Sequence, residues 1–407
     1  MPINRYSNIY FSTIFSIFAV LFSVSEISAD THDDEVLLGM STALTGPAAE
    51  LGKNMRLGVG IRIARENAKG GVKGRLIRLL AWDDGYEPEQ TVPNMRDLIE
   101  QEDVLAIIGN VGTPTAISAI PIANEEKTLL FAPYTGAGVL RKTPPDRYVI
   151  NYRASYAEET SAMVDALINH AKLKPEEIAF FTQRDGYGDA GYIGGISALK
   201  KFGLESESLI THTRYERNTL VVENALADIL LADPTPRAVI MVGAYAPSAR
   251  FIKLARDAGL EALFVNVSFV GAEPLARELG DKYDGVIVTQ VVPYPEDNSL
   301  PIVDRYQKDI LSYGKGRRSS FGSLEGYIAA EILIKALYRI EGAPSRENII
   351  DALEGLKEFS IGSGHQLRFD EDNHQASHRV WSTVLRNGKF VPFHWADISS
   401  LLRQIGE

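Results

Sequence analysis

The chain has 407 residues, of which 45% are hydrophobic and 23% are charged, and it carries a formal net charge of −11 without a single cysteine. The acidic balance argues against nucleic acid and anionic membranes as partners. The absence of cysteine excludes disulfides, thiol catalysis, thiolate metal sites and a lipid-modified cysteine. The length allows two or three domains.

The N-terminal segment, residues 1–29, is predicted to be a cleavable secretory signal. Arg5 precedes an apolar stretch at 9–24, and a small-residue boundary at Ala29 is followed by an acidic run. This order is typical of an export signal. An uncleaved anchor is the alternative, but the stretch is short for a membrane span. We therefore expect a periplasmic protein without a lipid anchor.

The next part of the chain alternates between strand and helix patterns. Strands are predicted at 36–40 and 75–82, and helices at 52–67 and 87–101. The first helix is followed by consecutive glycines, which commonly end helices. Alternation of this kind predicts βαβ units and a parallel sheet.

A module that occurs twice is the most informative pattern. In each copy an apolar run stops at a glycine, Gly109 or Gly243, and a loop, a helical pattern and a second apolar run follow. Short apolar strands separated by helices predict parallel sheets covered on both faces. Two distant copies predict two such sheets, whose strand ends and helix N-termini can meet around a ligand.

The remaining elements extend both series. Helices are predicted at 158–171, 190–202, 220–231, 301–312 and 324–340, strands at 178–182, 207–211 and 286–292, and a hairpin around 387–388. No low-complexity linker separates the halves, so several strands should cross between them. The predicted fold is therefore α/β, with two doubly wound parallel-sheet lobes joined by a multi-strand hinge. We expect lobe 1 at 30–151 and 293–370, and lobe 2 at 152–292 and 371–407.

Motifs for catalysis or for tightly bound groups give no firm signal. The sequence contains no Gly-x-Ser-x-Gly, Walker or His-Glu-x-x-His motif. His374 and His378 have the spacing of metal ligands on a helix, but their polar surroundings predict a solvated loop. We therefore expect neither an enzyme nor a cofactor or metal site, and an exported hydrolase remains an alternative.

Small polar and aromatic residues collect where predicted strands end, which in a doubly wound sheet is one edge. The candidate ligand-binding residues are Tyr86, Gly112, Thr113, Thr115, Thr135 and Gly136 in the first lobe, and Tyr187, Tyr245 and Ser268 in the second. The backbone amides at the start of the helix after Gly112 would attract a carboxylate. Tyrosines from the facing lobe would cover its apolar part. Helix caps and ordinary rim residues are the alternative reading.

Several motifs resemble those of a known family. The matching stretches are TALTGPAA (42–49), NAKGGVKG (67–74), DDGYEP (83–88), PYTGA (133–137), YG (187–188) and AGL (258–260). Over residues 35–393 the chain resembles the branched-chain-amino-acid (leucine/isoleucine/valine-binding) type of periplasmic solute-binding protein of ABC transporters, with the type I periplasmic-binding-protein fold. The resemblance implies that Thr113 and Thr135 contact the ligand carboxylate and that Tyr187 and Tyr245 are the aromatic residues of the second lobe.

One departure from the family pattern affects the identity of the ligand. Amino-acid binders of this family place an acidic residue in the loop corresponding to 266–271, and this chain has none there. An unpaired buried ammonium would be costly. Either Asp84, Asp185 or Glu325 supplies the charge, or the solute is a carboxylic acid, an aromatic acid or an amide. The expected partners are this small solute and an inner-membrane ABC permease, with the protein a monomer. A periplasmic sensor that signals to a receptor or kinase is the alternative.

Overall fold

The computed structural model describes residues 35–405. The predicted signal segment lies outside the described residues. Two α/β lobes are present, each with its own sheet. None of the helices in the described part of the chain is long and apolar enough to cross a bilayer.

Lobe 1 is built on five parallel strands in the order β2-β1-β3-β4-β5. These strands are β1 (Glu35–Thr42), β2 (Leu76–Asp83), β3 (Ala106–Ile108), β4 (Leu129–Phe131) and β5 (Val149–Ile150). Its first helices are α1 (Ala49–Asn67), α2 (Pro88–Arg96) and α3 (Thr113–Glu125). Strands β3 and β4 are buried at every position, which explains why they read as continuous apolar runs.

Lobe 2 is built on seven strands in the order β14-β13-β10-β9-β8-β6-β7. Five are parallel: β6 (Ile178–Gln183), β7 (His212–Tyr215), β8 (Ala238–Val242), β9 (Leu263–Asn266) and β10 (Ile287–Gln290). The predicted hairpin, β13 (Trp381–Arg386) and β14 (Lys389–Pro392), adds an antiparallel edge to this sheet. The helices are α4 (Tyr156–Asp165), α5 (Gly186–Lys201), α6 (Glu223–Leu230), α7 (Tyr245–Asp257), α8 (Ala272–Leu279) and α12 (Ile398–Ile405).

The chain passes between the sheets three times, after β5, after β10 and after β12. Between the second and third passages it returns to lobe 1 as α9 (Pro301–Tyr313), α10 (Phe321–Leu337), α11 (Arg346–Glu354), β11 (Lys357–Phe359) and β12 (Leu367–Phe369). Helix α10 packs along α1, where Gly58 and Gly326 allow backbone contact. The residue numbers at which one lobe ends and the other begins stay a prediction.

Several predicted boundaries were wrong, and one of them matters for the site. The helix predicted at 190–202 begins earlier, at Gly186. Asp185 caps α5 by accepting a hydrogen bond from the Tyr187 amide, so Tyr187 lies in the first helical turn. The strand predicted at 207–211 lies instead at His212–Tyr215. The predicted helices at 87–101 and 158–171 are present, and each ends in a five-residue π-helical segment, Asp97–Gln101 and Ala166–His170. Polar caps and turns therefore set some element ends a few residues from the predicted positions, while the order of elements is as predicted.

Candidate functional site

Five aromatic rings from the two lobes meet in the space between the sheets. Tyr86 and Tyr134 come from lobe 1, and Tyr156, Tyr187 and Phe269 from lobe 2; we call them the aromatic cluster. Phe269 is central, with its ring centroid 4.5 Å from Tyr187, 5.6 Å from Tyr134 and 5.9 Å from Tyr86. Tyr156 lies 5.3 Å from Tyr187. All five side chains are buried, so both lobes contribute to one enclosed apolar surface.

Tyr86 is positioned by its own turn and by a glycine from another element. Its backbone has φ 65°, and its amide donates to Asp84 Oδ1 at 3.0 Å. Gly112 has φ 107°, and a Cβ on it would lie 2.0 Å from the Tyr86 ring. A glycine is therefore required at position 112 both by the backbone angle and by the approach of this ring.

A hydrogen bond joins Tyr86 to the opposite lobe. Gln183 Nε2, at the end of β6, donates to Tyr86 Oη at 3.1 Å. The same amide group accepts from Tyr215 Oη through its Oε1 at 2.9 Å. Burial raises the pKa of the Tyr86 phenol well above its usual range, so the hydroxyl stays protonated and polar within the cluster.

Thr113 and Thr135 are brought together at the start of α3. Their hydroxyl oxygens are 2.7 Å apart and both side chains are buried. Thr135 Oγ1 also accepts from the Ala137 amide at 3.3 Å. Because one hydroxyl donates to the other, one hydroxyl proton of this pair is free for a further acceptor.

Gly136 makes a close backbone contact between the lobes. Its carbonyl accepts from the Tyr156 amide at 2.7 Å, and a Cβ on Gly136 would lie 2.7 Å from that nitrogen. Arg141 stabilises this region by donating to the carbonyls of Ala137 and Arg153 at 2.9 and 3.0 Å. Burial lowers the pKa of Arg141 to about 10.

Arg153, on the first passage between the lobes, is a buried charged residue beside the aromatic cluster. It is fully buried, and its guanidinium carbon lies 4.8 Å from the Tyr134 ring and 6.0 Å from the Tyr156 ring. Nη2 donates to Ser268 Oγ. Burial opposes the charged form, but Glu325 and Glu159 outweigh it, so the pKa of Arg153 is raised. The residue therefore carries a positive charge in an apolar setting.

Two buried glutamates flank Arg153, one from each lobe. Glu159 of α4 has an oxygen 3.6 Å from Arg153 Nη2, and Glu325 of α10 has one 3.6 Å from Nη1. Glu159 accepts from the Ser268 amide and hydroxyl at 2.8 and 3.0 Å and from Thr289 Oγ1 at 2.5 Å. Burial raises the pKa of Glu325 to about 7, although Arg153 acts to lower it.

Most of the predicted site residues lie in or beside this region. Tyr86 and Tyr187 belong to the aromatic cluster. Gly112 and Gly136 pack against the Tyr86 ring and against Tyr156. Thr113 and Thr135 are hydrogen-bonded to each other, and Ser268 is hydrogen-bonded to Arg153. Tyr187 Oη additionally donates to the Gly243 carbonyl at 3.2 Å. Whether these residues bind a solute stays a prediction.

Two predicted residues lie differently. Thr115 directs its hydroxyl at its own helical turn, donating to the carbonyls of Val111 and Gly112 at 2.6 and 3.0 Å. Tyr245, the first residue of α7, lies beside the backbone of Glu50 at the start of α1. It makes no ring contact with the aromatic cluster among the described residues. Tyr245 thus bridges the lobes away from the rings.

Sequence reasoning missed Arg153, Glu159 and Tyr156 as site residues. The available signal for Arg153 was an arginine that closely follows an apolar strand, Val149–Ile150. Glu159 follows Glu158, and acidic residues are expected at any helix start. Glu158 does serve that purpose, in a capping box with Ser155, so composition could not distinguish the two.

The histidine pair belongs to the third passage between the lobes, and the prediction of a solvated loop was wrong for His374, which is buried. His374 Nδ1 lies 3.0 Å from the Val149 carbonyl, and His378 Nδ1 lies 2.6 Å from Glu158 Oε1. In residues 35–405 no group of three or more His, Cys, Asp or Glu side chains is placed to hold a metal ion.

Two grooves are lined by residues of both lobes. One, of about 570 Å³, is lined by residues that include Thr113, Gly136 and Gly186. The other, of about 860 Å³, is lined by residues that include Glu273 and Phe321. Glu273 of lobe 2 accepts from the Phe321 amide of α10 at 2.7 Å, and burial raises the pKa of Glu273 to about 7.

Comparison with known proteins places this geometry in context. The model of the periplasmic binding protein family matches residues 35–389. The Leu/Ile/Val-binding protein homolog 7 of Brucella abortus (strain 2308) is 24% identical over 381 residues, covering 88% of this chain and 90% of that protein. The Leu/Ile/Val-binding protein of Escherichia coli K12 is 24% identical over 280 residues, covering 67% of this chain and 72% of that protein.

Solved structures agree with this match. A possible leucine/isoleucine/valine-binding protein from Rhodopirellula baltica SH 1 superposes with a TM-score of 0.87 and 48% identity, covering 90% of this chain and 98% of that one. A substrate-binding periplasmic protein from Ralstonia solanacearum superposes with a TM-score of 0.80 and 27% identity, covering 88% of this chain and 99% of that one. Both the fold and the family therefore agree with the predicted resemblance.

Proposed function

Because the chain belongs to the periplasmic binding protein family, we propose that it captures a small carboxylate- or amide-bearing solute between its lobes and delivers it to an ABC permease. The family is extracytoplasmic, which fits the predicted export signal. The single observation that carries the proposal is the aromatic cluster, to which both lobes contribute rings around Arg153. A site shared in this way exists in full only when the lobes are closed, so a solute that binds there would favour closure.

The proposed site residues are those predicted from the sequence except Thr115 and Tyr245, with Arg153, Glu159, Tyr134, Tyr156 and Phe269 added from the structure. The free hydroxyl proton of the Thr113–Thr135 pair and the amides at the start of α3 would hold an anionic or carbonyl oxygen. The rings would enclose an apolar body and exclude water. Binding alone requires no chemical step, so we expect no turnover of esters or amides.

The first test is a thermal-shift screen of the mature protein against amino acids, organic acids and amides, followed by calorimetry of the hits. A ligand present at 100 times its Kd should stabilise the folded state by about 2.7 kcal/mol. Tyr187→Ala removes a ring from the cluster and should weaken a hit by about 2–4 kcal/mol. Tyr313→Ala, at a 36% exposed tyrosine at the end of α9, is the control and should leave affinity unchanged. No stabilisation by any solute in these classes would contradict the proposal.

Delivery to a permease is tested separately from binding. With a candidate permease in liposomes, the solute-loaded protein should increase ATP hydrolysis more than the solute-free protein does. Binding to a receptor or kinase without any effect on ATP hydrolysis would favour the sensor alternative instead.

A further inference from the structure

We propose that the solute is a carboxylic acid that lacks an α-ammonium group, and that Arg153 binds its carboxylate within the aromatic cluster. The inference rests on the proposed function and specifies the class of solute. It comes from the buried polar atoms around Arg153 that have no hydrogen-bond partner and from the chemistry that would satisfy them.

Two unpartnered nitrogen atoms lie next to the rings. Arg153 Nε and Nη1 are buried and make no hydrogen bond to any described residue. Both are donors, because a guanidinium has only donors. Leaving such donors unpaired in an apolar setting is costly. Glu325 lies 3.6 Å from Nη1, beyond hydrogen-bonding distance, so neither nitrogen has an acceptor within reach. A carboxylate offers two acceptor oxygens that match the fork of an arginine.

Glu159 is an unsuitable partner for a solute ammonium. Both of its oxygens are already engaged, one by the Ser268 hydroxyl and the other by the Ser268 amide and Thr289. Its charge is also paired with Arg153, whose Nη2 lies 3.6 Å from Glu159 Oε1. An arriving ammonium would have to displace these donors, and it would bring three further donors to a place that already has donors in excess.

Glu325 is the group that would respond to a carboxylate. Its only close charged partner is Arg153 Nη1, at 3.6 Å, and no hydrogen bond to it is formed within residues 35–405. The charged and titratable groups that act on it are Arg153 and Arg141, which favour its ionised form, and Glu159, which disfavours it. Glu325 also acts electrostatically on Tyr134 and Tyr152. Burial, and then the Glu325 charge, raise the pKa of both phenols. A carboxylate on Nη1 would therefore compete with Glu325 and favour its protonated form.

The rings indicate the shape of the rest of the solute. Phe269 contacts Tyr86, Tyr134 and Tyr187 with centroid distances of 4.5 to 5.9 Å. Such surfaces suit a planar or branched apolar group. The two aspartates beside the rings are already engaged: Asp84 accepts from Ser41, Tyr86 and Thr91, and Asp185 accepts from Gln183 and Tyr187 and lies 3.5 Å from Arg217. The combination of a buried cation with apolar walls is what an arylalkyl or branched alkyl carboxylic acid requires.

The test uses two matched sets of probes in isothermal calorimetry: 3-phenylpropanoate, 3-phenylpropanamide and L-phenylalanine, and then 4-methylpentanoate, 4-methylpentanamide and L-leucine. Within each set the body is constant and only the polar end changes. We expect the acid to bind about tenfold or more tightly than the amide and the amino acid. Preference for the amino acid or the amide would overturn the inference but leave the proposed function standing. Failure of all six probes, and of the wider screen, would contradict the proposed function itself.

The pH dependence gives an independent readout with opposite signs for the two ligand classes. Burial raises the pKa of Glu325 to about 7. If the acid binds with Glu325 protonated, affinity should fall as pH rises through about 7, by up to about tenfold per unit. If an ammonium bound to ionised Glu325, affinity would rise over the same interval. Glu325→Gln should bind the acid at pH 8 at least as tightly as the wild type and lose this pH dependence.

Variants at Arg153 complete the test. Arg153→Lys keeps the charge but loses the planar fork, so it should weaken the acid about tenfold and the amide much less. Arg153→Met should remove the preference for acid over amide. Circular dichroism checks that both variants fold, and if neither folds, the probe series and the pH profile of the wild-type protein still decide. Equal affinities of wild type and a folded Arg153→Met for the acid would overturn the assignment.

Discussion

The two copies of the repeated βα module are built alike but present different side chains to the space between the lobes. In lobe 1, Gly112 precedes α3 with φ 107°, and Thr113 opens the helix. In lobe 2, Ala244 precedes α7 with φ −76°, and Tyr245 opens it. The Ala244 amide donates to Tyr215 Oη at 2.9 Å, within its own lobe. In lobe 1 the position before the helix instead makes room for the Tyr86 ring.

This difference shows that the same fold unit can serve two purposes. The lobe 1 copy brings a helix N-terminus and two hydroxyl groups to the aromatic cluster. The lobe 2 copy satisfies its first amide internally and uses its first side chain to reach α1 of the other lobe. We therefore expect substitutions in the first copy to affect solute affinity, and matched substitutions in the second to affect mainly lobe closure.

The largest effect is expected at the residue before each helix. Gly112→Ala forces a side chain into a backbone region reserved for glycine and into the Tyr86 ring, so it should destabilise the protein by about 1–3 kcal/mol and abolish measurable binding. The matched change Ala244→Gly should cost less than about 1 kcal/mol, through the greater conformational freedom of the unfolded chain. Thermal denaturation and calorimetry measure both. Equal effects of the two changes would show that the copies are equivalent.

A smaller effect is expected at the first residue of each helix. Thr113→Val removes a hydroxyl and leaves Thr135 without its partner, which should weaken solute binding by about 1–3 kcal/mol. Tyr245→Phe removes only a contact to the Glu50 backbone, so its cost should stay below about 1 kcal/mol. If Tyr245→Phe weakened binding more than Thr113→Val, the lobe 2 copy would be the principal contact to the solute.

The smallest effect is expected at Thr115, which aligns with Pro247 of the other copy. Its hydroxyl is held by two backbone carbonyls of its own turn, so Thr115→Val should leave affinity unchanged and cost at most about 1 kcal/mol of stability. The solute affinities of the Thr115→Val and Thr113→Val proteins, measured by competition binding, distinguish the contributions of the two threonines. A loss of affinity in Thr115→Val would restore Thr115 as a ligand contact.

The order of strands and helices could be predicted because each buried strand is a continuous apolar run and each helix follows at a fixed distance. The two-lobe architecture followed from the repetition of this pattern. Boundaries at Tyr187 and His212 could not be predicted, because a capping aspartate and a turn decide them. The packing of α10 along α1 joins residues over 260 positions apart, and no local pattern contains it.

The site could be predicted in part for the same reason. Residues directly after strands, such as Tyr86 and Thr113, are placed by the sheet topology. Arg153 and Glu159 depend on how one lobe docks on the other, which spacing along the chain does not specify. Tyr245 occupies the predicted sheet edge, but the direction of its side chain follows from the neighbouring helix α1.

The strand orders place one rim of the space between the lobes far from the passages that form the hinge. Glu87 follows β2, at the far edge of the lobe 1 sheet from β5, while Arg217 follows β7, at the far edge of the lobe 2 sheet from β10 and the hairpin. These two side chains meet at 2.6 Å. Four strand spacings, about 19 Å, separate each from the strand that leads into a passage. A rotation of about 10° would open that rim by about 3 Å while hardly disturbing Gly136 and Tyr156, so a solute would enter and leave on the Glu87 side.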